Sequence, residues 1–238
     1  GKSITGLDNP LIASIVNGGV VKDLTISNSK ITKSINSNET IGFITGTNAG
    51  MISGCNAGGT VSATVNNSSE ISVGAITGTN SGTIENCTGN ALTYTGADTN
   101  HLDIGSIAGK IEGGTITGCT VGSISEGTLG SGATLHKGTI AGCVHGDATV
   151  TSTDSRSTEA PVGDIENNIT LTINSSRLDG AIGNENCIIE GRNSTFSTVT
   201  AKKAEFSINS SVNKLNITGS GDDVLILDNA TIELYIRK

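Results

Sequence analysis

Residues 73–88 read Val73-Gly74-Ala75-Ile76-Thr77-Gly78-Thr79-Asn80-Ser81-Gly82-Thr83-Ile84-Glu85-Asn86-Cys87-Thr88, and this stretch decides the fold because it recurs. Upstream stands Ile41-Gly42-Phe43-Ile44-Thr45-Gly46-Thr47-Asn48-Ala49-Gly50-Met51-Ile52-Ser53-Gly54-Cys55-Asn56. Downstream stand Ile104-Gly105-Ser106-Ile107-Ala108-Gly109 and Gly114-Thr115-Ile116-Thr117-Gly118-Cys119-Thr120. The cysteines at 55, 87 and 119 are 32 residues apart. A fixed period in this range marks a stacked repeat in which each unit buries its apolar side against its neighbours.

Each copy divides into three short β segments. The first is Ile-Gly-x-Ile, closed by Gly46, Gly78 or Gly109. The second follows Gly50, Gly82 or Gly114 and carries Ile52, Ile84 or Ile116, with Cys three residues later. Strand side chains alternate with period two, so an i, i+3 pair cannot both face inward from one regular strand. A bulge or corner is therefore expected between Ile84 and Cys87. The third segments are Thr60–Val65, Ala91–Thr95 and Val121–Ile124. Short strands with Gly at the corners predict one coil per repeat of a right-handed parallel β-helix, an all-β solenoid. Ile44, Ile76, Ile107 and Ile140 should form one interior ladder, and Ile52, Ile84 and Ile116 another. Asn48 and Asn80 are expected to stack at a turn.

Working outward, Ile12–Val16 aligns over Ile104–Ala108, and Gly18–Ile26 over Gly113–Val121. This places Leu24 in the column of Cys55, Cys87 and Cys119. A column that accepts Leu or Cys reads as an apolar interior position rather than a metal or nucleophile position. A fourth copy begins at Lys137-Gly138-Thr139-Ile140-Ala141-Gly142, then departs at Cys143-Val144-His145-Gly146-Asp147. The expected organisation is solenoid coils over 1–150, a loop or linker over 151–163, and shorter coils or a capping β region over 164–238. The final Leu234-Tyr235-Ile236-Arg237-Lys238 reads as a capping strand with a charged tail.

Composition agrees with strand. There are 33 Gly and 2 Pro in 238 residues, no Trp, and only 15% charged residues, while β-branched residues alternate with polar ones. The net charge of −8, with no run of Lys or Arg, argues against a nucleic-acid partner. No apolar run approaches the roughly 18 residues that span a bilayer. Five cysteines without C-x-x-C spacing give neither a disulfide scaffold nor a zinc knuckle. The chain begins at Gly1 without Met or a signal peptide, so an export signal and anchor are expected upstream.

The pattern Gly-x-Ile-x-Gly-x-Asn-x-Gly-x-Ile-x-x-Cys, complete at Gly42–Cys55 and Gly74–Cys87, resembles the GLUG repeat of bacterial surface proteins. The third copy departs from it, with Lys110-Ile111-Glu112-Gly113 in place of the Thr-Asn turn. The resemblance covers about residues 10–150 of the chain and none of 164–238. It implies an exported, adhesin-like scaffold at a bacterial cell surface, of a kind common among lipoproteins of gut Bacteroidetes, and brings no catalytic motif.

Candidate chemistry is sparse. Asp8, Glu39, Glu70, Glu85, Asp98, Asp103 and Glu112 are scattered, whereas a lyase or hydrolase needs clustered carboxylates beside a sugar platform. Aromatic residues are few: Phe43, Tyr94, Phe196, Phe206 and Tyr235. Gly219–Ile226 resembles one calcium-binding nonapeptide, making Asp222, Asp223 and Asp228 the calcium candidates. Such a site needs consecutive turns, and Leu227–Ala230 does not repeat the Gly-rich half, so a Gly-Asp turn before a buried strand is the preferred reading. His136 and His145 flank Cys143 but lack ligand spacing along the chain and are read as solvent-exposed. The expectation is a non-catalytic surface binding or scaffold module without cofactor. Its partners would be a surface glycan or a host extracellular protein, met by loops at 66–70, 96–103 and 127–137. A β-helix carbohydrate-active enzyme is the alternative, and a passive stalk the third reading.

Overall fold

A computed structural model describes residues 2–66, 69–97, 99–221 and 224–237. The described residues contain strands and no helix, and every pairing between strands is parallel. The chain winds as a parallel β-helix.

A repeat coil carries four strands rather than three, as the coil Glu39–Gly42, Thr45–Asn48, Met51–Ser53, Asn56–Val65 shows. The Ile-Gly-x-Ile segment splits because Ile41 and Ile44, again three apart, are both fully buried. A corner at Phe43-Ile44 is the only way to aim both inward. Stacking builds four sheets. The first joins Glu39–Gly42, Glu70–Gly74, His101–Gly105 and Thr134–Gly138. The second has six strands, from Ile12–Ile15 to Val162–Ile165, and the third has nine, from Val20–Lys22 to Leu225–Asp228. The fourth runs from Lys2–Thr5 to Ile124–Glu126.

The interior is laddered. Ile44, Ile76, Ile107 and Ile140 are fully buried, and the amide of each of the first three donates to the carbonyl of the next at 3.0–3.2 Å. Ile52, Ile84 and Ile116 stand in register, continued by Val150 and Ile173. Full burial of one such side chain contributes about 1.5–3 kcal/mol. Asn48 and Asn80 are both buried, and Asn48 Nδ2 donates to Asn80 Oδ1 at 2.8 Å.

The corner between Ile84 and Cys87 is a single residue in the left-handed region, Asn86 with φ 51°. The same bend recurs at Asp23, Gly54, Gly118, Ser152, Ser175, Asn193 and Asn229, one residue before the column of Leu24, Cys55 and Cys119. That column continues as Thr153, Ser176, Ser194 and Ser210. Each amide reaches the side chain one coil on: Cys55 N to Cys87 Sγ at 3.4 Å, Cys119 N to Thr153 Oγ1 at 3.1 Å, Thr153 N to Ser176 Oγ at 3.1 Å. Ser176 N to Ser194 Oγ and Ser194 N to Ser210 Oγ follow at 3.3 Å. Leu24 is half-buried at the open start of this column, and the three cysteines are buried and free.

Two expectations need correction. Ile12 pairs with Thr45, and so heads the second sheet above Ala108 rather than standing over Ile104. Apolar i, i+3 spacing occurs at both corners, and the first copy lacks a first-sheet strand. The loop expected over 151–163 is confined to 156–161, and the residues on either side of it belong to the β-helix. Thr151 lies in the third sheet, Thr153 and Ser155 are fully buried, and Val162 pairs with Ala141.

The nine-stranded third sheet crosses residue 164 without a break. Beyond it each coil keeps two sheets, the third and a fifth formed by Arg177–Ile182, Thr195–Ala201, Ser211–Ile217 and Thr231–Arg237. The column spacing falls from 34 residues to 23, 18 and 16. Thr231–Arg237 is the last strand, with Leu234, Tyr235 and Ile236 exposed at its open edge.

Candidate functional site

The first and second sheets meet at a tight seam. Its depth is set by a glycine column: a methyl at Gly142 would overlap the Ile104 amide and crowd the carbonyl carbon of Asp103. At Gly163 it would meet the Lys137 amide and the carbonyl carbon of His136. With no side chain there, backbone packs on backbone, and the polar side chains of both sheets converge along the seam.

In the first sheet Thr40, Ser72, Asp103 and His136 form one register column. His101 lies two residues before Asp103, on the same side of its strand by period-two alternation. His101 Nε2 donates to Asp103 Oδ1 at 3.0 Å, and His136 Nδ1 donates to the same oxygen at 2.9 Å. The Ser72 hydroxyl reaches Oδ2 at 3.4 Å. The two imidazoles meet edge to face, with centroids 5.0 Å apart at 88°. Asp103 is fully buried, while the side chains of His101 and His136 are 26% and 23% exposed.

Across the seam Lys110, Cys143 and Asp164 share a column of the second sheet. Lys110 Nζ faces Glu70 Oε2 at 3.8 Å and Glu112 Oε1 at 3.9 Å. Two triads of donor atoms lie within 4.8 Å of one another: His101, Asp103, His136, and His136, Cys143, Asp164. Burial pushes the Asp103 carboxyl up, but the hydrogen bond from His136 and the charge of His101 outweigh it and hold the group below its ordinary value. The hydrogen bond to Asp103 raises His136. Burial pushes the Cys143 thiol well above its ordinary value, which makes it a poor nucleophile at neutral pH.

No known protein family, curated protein or solved structure matches this chain.

The expected calcium residues lead nowhere comparable. Asp222 and Asp223 lie outside the described residues, and Asp228 is exposed at the end of the strand Leu225–Asp228. That strand is not buried, since Ile226 and Leu227 are 40% and 48% exposed. The histidines read as solvent-exposed are half-buried and paired, His145 Nδ1 with Glu166 Oε1 at 3.2 Å. Asp103, read as one of several scattered acids, is the buried centre of the cluster. The expected loop at 96–103 gives way to strand at His101–Gly105, and part of 127–137 to strand at Thr134–Gly138; Asn67, Ser68 and Asp98 lie outside the described residues.

Ligand spacing along the chain could not reveal this cluster, because Asp103 and His136 are 33 residues apart. The signal was in the column. Aligning Ser72-Val73-Gly74, Asp103-Ile104-Gly105 and His136-Lys137-Gly138 on their glycines sets the two residues side by side.

Proposed function

We propose that this chain is a non-catalytic binding scaffold of a bacterial cell surface, adhesin-like, whose partners are polar polymers such as glycans or extracellular proteins. The observation that carries the reading is the nine-stranded third sheet. Its outer face presents one in-register column of Thr83, Thr115, Thr149, Thr172, Glu190 and Glu205. At about 4.8 Å per step these six strands span about 24 Å, with Met51 and Val20 continuing the column at one end and Ile226 at the other. A flat hydroxyl and carboxylate ladder of that length offers evenly repeated hydrogen-bonding positions to an extended partner. Individually weak contacts on a rigid lattice gain strength through multivalency.

The buried aromatics also favour binding over glycosidic chemistry. Phe43, Tyr94, Phe196 and Phe206 are fully buried, and among the described residues only Tyr235 is an exposed aromatic. The resemblance to GLUG repeats agrees with surface display.

A glycan-array screen of the purified chain, scored for both retention and product release, tests the reading. Retention without turnover is expected. Replacing Thr115, Thr149 and Thr172 by Lys should remove it while leaving the circular dichroism of the fold intact. Release of cleaved product would overturn the proposal in favour of a carbohydrate-active enzyme.

A further inference from the structure

We propose that the seam binds one divalent transition-metal ion of the zinc type through the imidazoles of His101 and His136 and the carboxylate of Asp103. The parallel lattice supplies the ligand set. His101 and Asp103 share one face of one strand, and the next coil sets His136 beside Asp103. The nitrogen-to-oxygen separations of 3.0 and 2.9 Å are close to the edge of a tetrahedron. For zinc, with bonds of about 2.0–2.1 Å, that edge is about 3.3 Å. Small ring movements would therefore exchange two hydrogen bonds for two metal bonds.

Electrostatics point the same way. Asp103 is fully buried, and its ion pairs among the described residues are with the two histidines alone. Proteins resolve a buried carboxylate by pairing or by metal coordination. Lys110, the cation of the neighbouring column, is directed to Glu70 and Glu112 instead. Ser72 holds the second carboxylate oxygen, the outer-shell contact that orients a ligating carboxylate. The partly exposed imidazoles leave a path from solvent. Two nitrogens and one oxygen suit zinc, nickel or cobalt rather than calcium or magnesium, which take oxygen ligands.

The test uses the full chain without an affinity tag, stripped with chelator and titrated calorimetrically with zinc chloride. One ion per chain is expected. His101→Ala and His136→Ala should each weaken binding by about tenfold or more, and zinc should raise the melting temperature of the unsubstituted chain but not of these variants. His136→Gln serves if His136→Ala loses its circular dichroism. His145→Ala, outside the cluster, should bind as the unsubstituted chain does. The cobalt form should lack thiolate charge transfer. Absence of saturable binding, binding indifferent to both histidine variants, or a thiolate band removed by Cys143→Ser would overturn the assignment.

Discussion

Cys55, Cys87 and Cys119 occupy a column that later coils fill with Thr153, Ser176, Ser194 and Ser210, so this interior position carries a hydrogen-bonding role along with its burial. Each side chain accepts an amide from the preceding coil and turns its own hydrogen toward a nearby carbonyl, two residues back for Cys87 Sγ to Glu85 O at 3.2 Å and Ser194 Oγ to Arg192 O at 2.8 Å, and three back for Ser210 Oγ to Ser207 O at 2.7 Å. A buried amide left without a partner would cost about 1–3 kcal/mol per coil. Reading the column as apolar from Leu24 and Cys alone missed this role, because thiol and hydroxyl are interchangeable here and the hydroxyl copies stand off the 32-residue period, at 34, 23, 18 and 16. Stacking splits the thiols: hydrogen bonding with Cys87 holds Cys119 below its ordinary value, while Cys87 and Cys55 are raised. Hydrogen bonding with Cys119, together with burial, pushes the Cys87 thiol up to about 12, and hydrogen bonding to Cys87 and burial raise Cys55 further. A raised folded value leaves little thiolate below it, so native protein should show no labelling of Cys55 or Cys87 by a thiol reagent at pH 8, and full labelling once denatured. Rapid labelling of the native chain would contradict the column geometry.

At the scale of the element, the recurring unit is a short strand, one left-handed residue, and the column residue. Asn, Asp and Gly take most of these bends, as their tolerance of positive φ predicts. One position breaks the rule. Ile208, with φ 53°, is β-branched, sits beside Asn209 at φ 59°, and is 55% exposed. The left-handed conformation costs an ordinary residue about 1–2 kcal/mol, and Ile208 loses little packing if replaced. Ile208→Asn should therefore stabilise the chain by about 1 kcal/mol, read as a higher urea midpoint at unchanged slope. A lower midpoint would mean that the bend is misplaced. The bend at Ile84-x-x-Cys87 was legible in the sequence, since two inward residues three apart require it. The seam was not, because its partners meet only once the coil lengths of 31–34 residues are aligned strand by strand.

For the whole molecule, narrowing is the main structural event. Four strands per coil become two, and the period falls by about half, while the third sheet keeps its register from Val20 to Asp228. The solenoid and its 32-residue repeat followed from Gly and Ile spacing. The shorter coils were legible only as a β region expected over 164–238, and the strands Val162–Ile165 and Arg177–Ile182 show why. Gly163 and the pair Asp179-Gly180 interrupt their apolar alternation. Continuity through the change in coil size is the claim on which the polar ladder, and hence the proposed binding surface, depends. Paired cysteines test it most directly. Thr149 and Thr172 are in-register neighbours across the junction, and Glu190 is one coil further on. Adjacent coils lie about 4.8 Å apart, within the Cα range of about 4.4–6.8 Å for a disulfide, and a two-coil separation lies outside it. The chain carrying Thr149→Cys with Thr172→Cys should oxidise to a disulfide without loss of fold, and the chain carrying Thr149→Cys with Glu190→Cys should not. Failure of the first pair, or equal oxidation of both, would contradict a single uninterrupted β-helix.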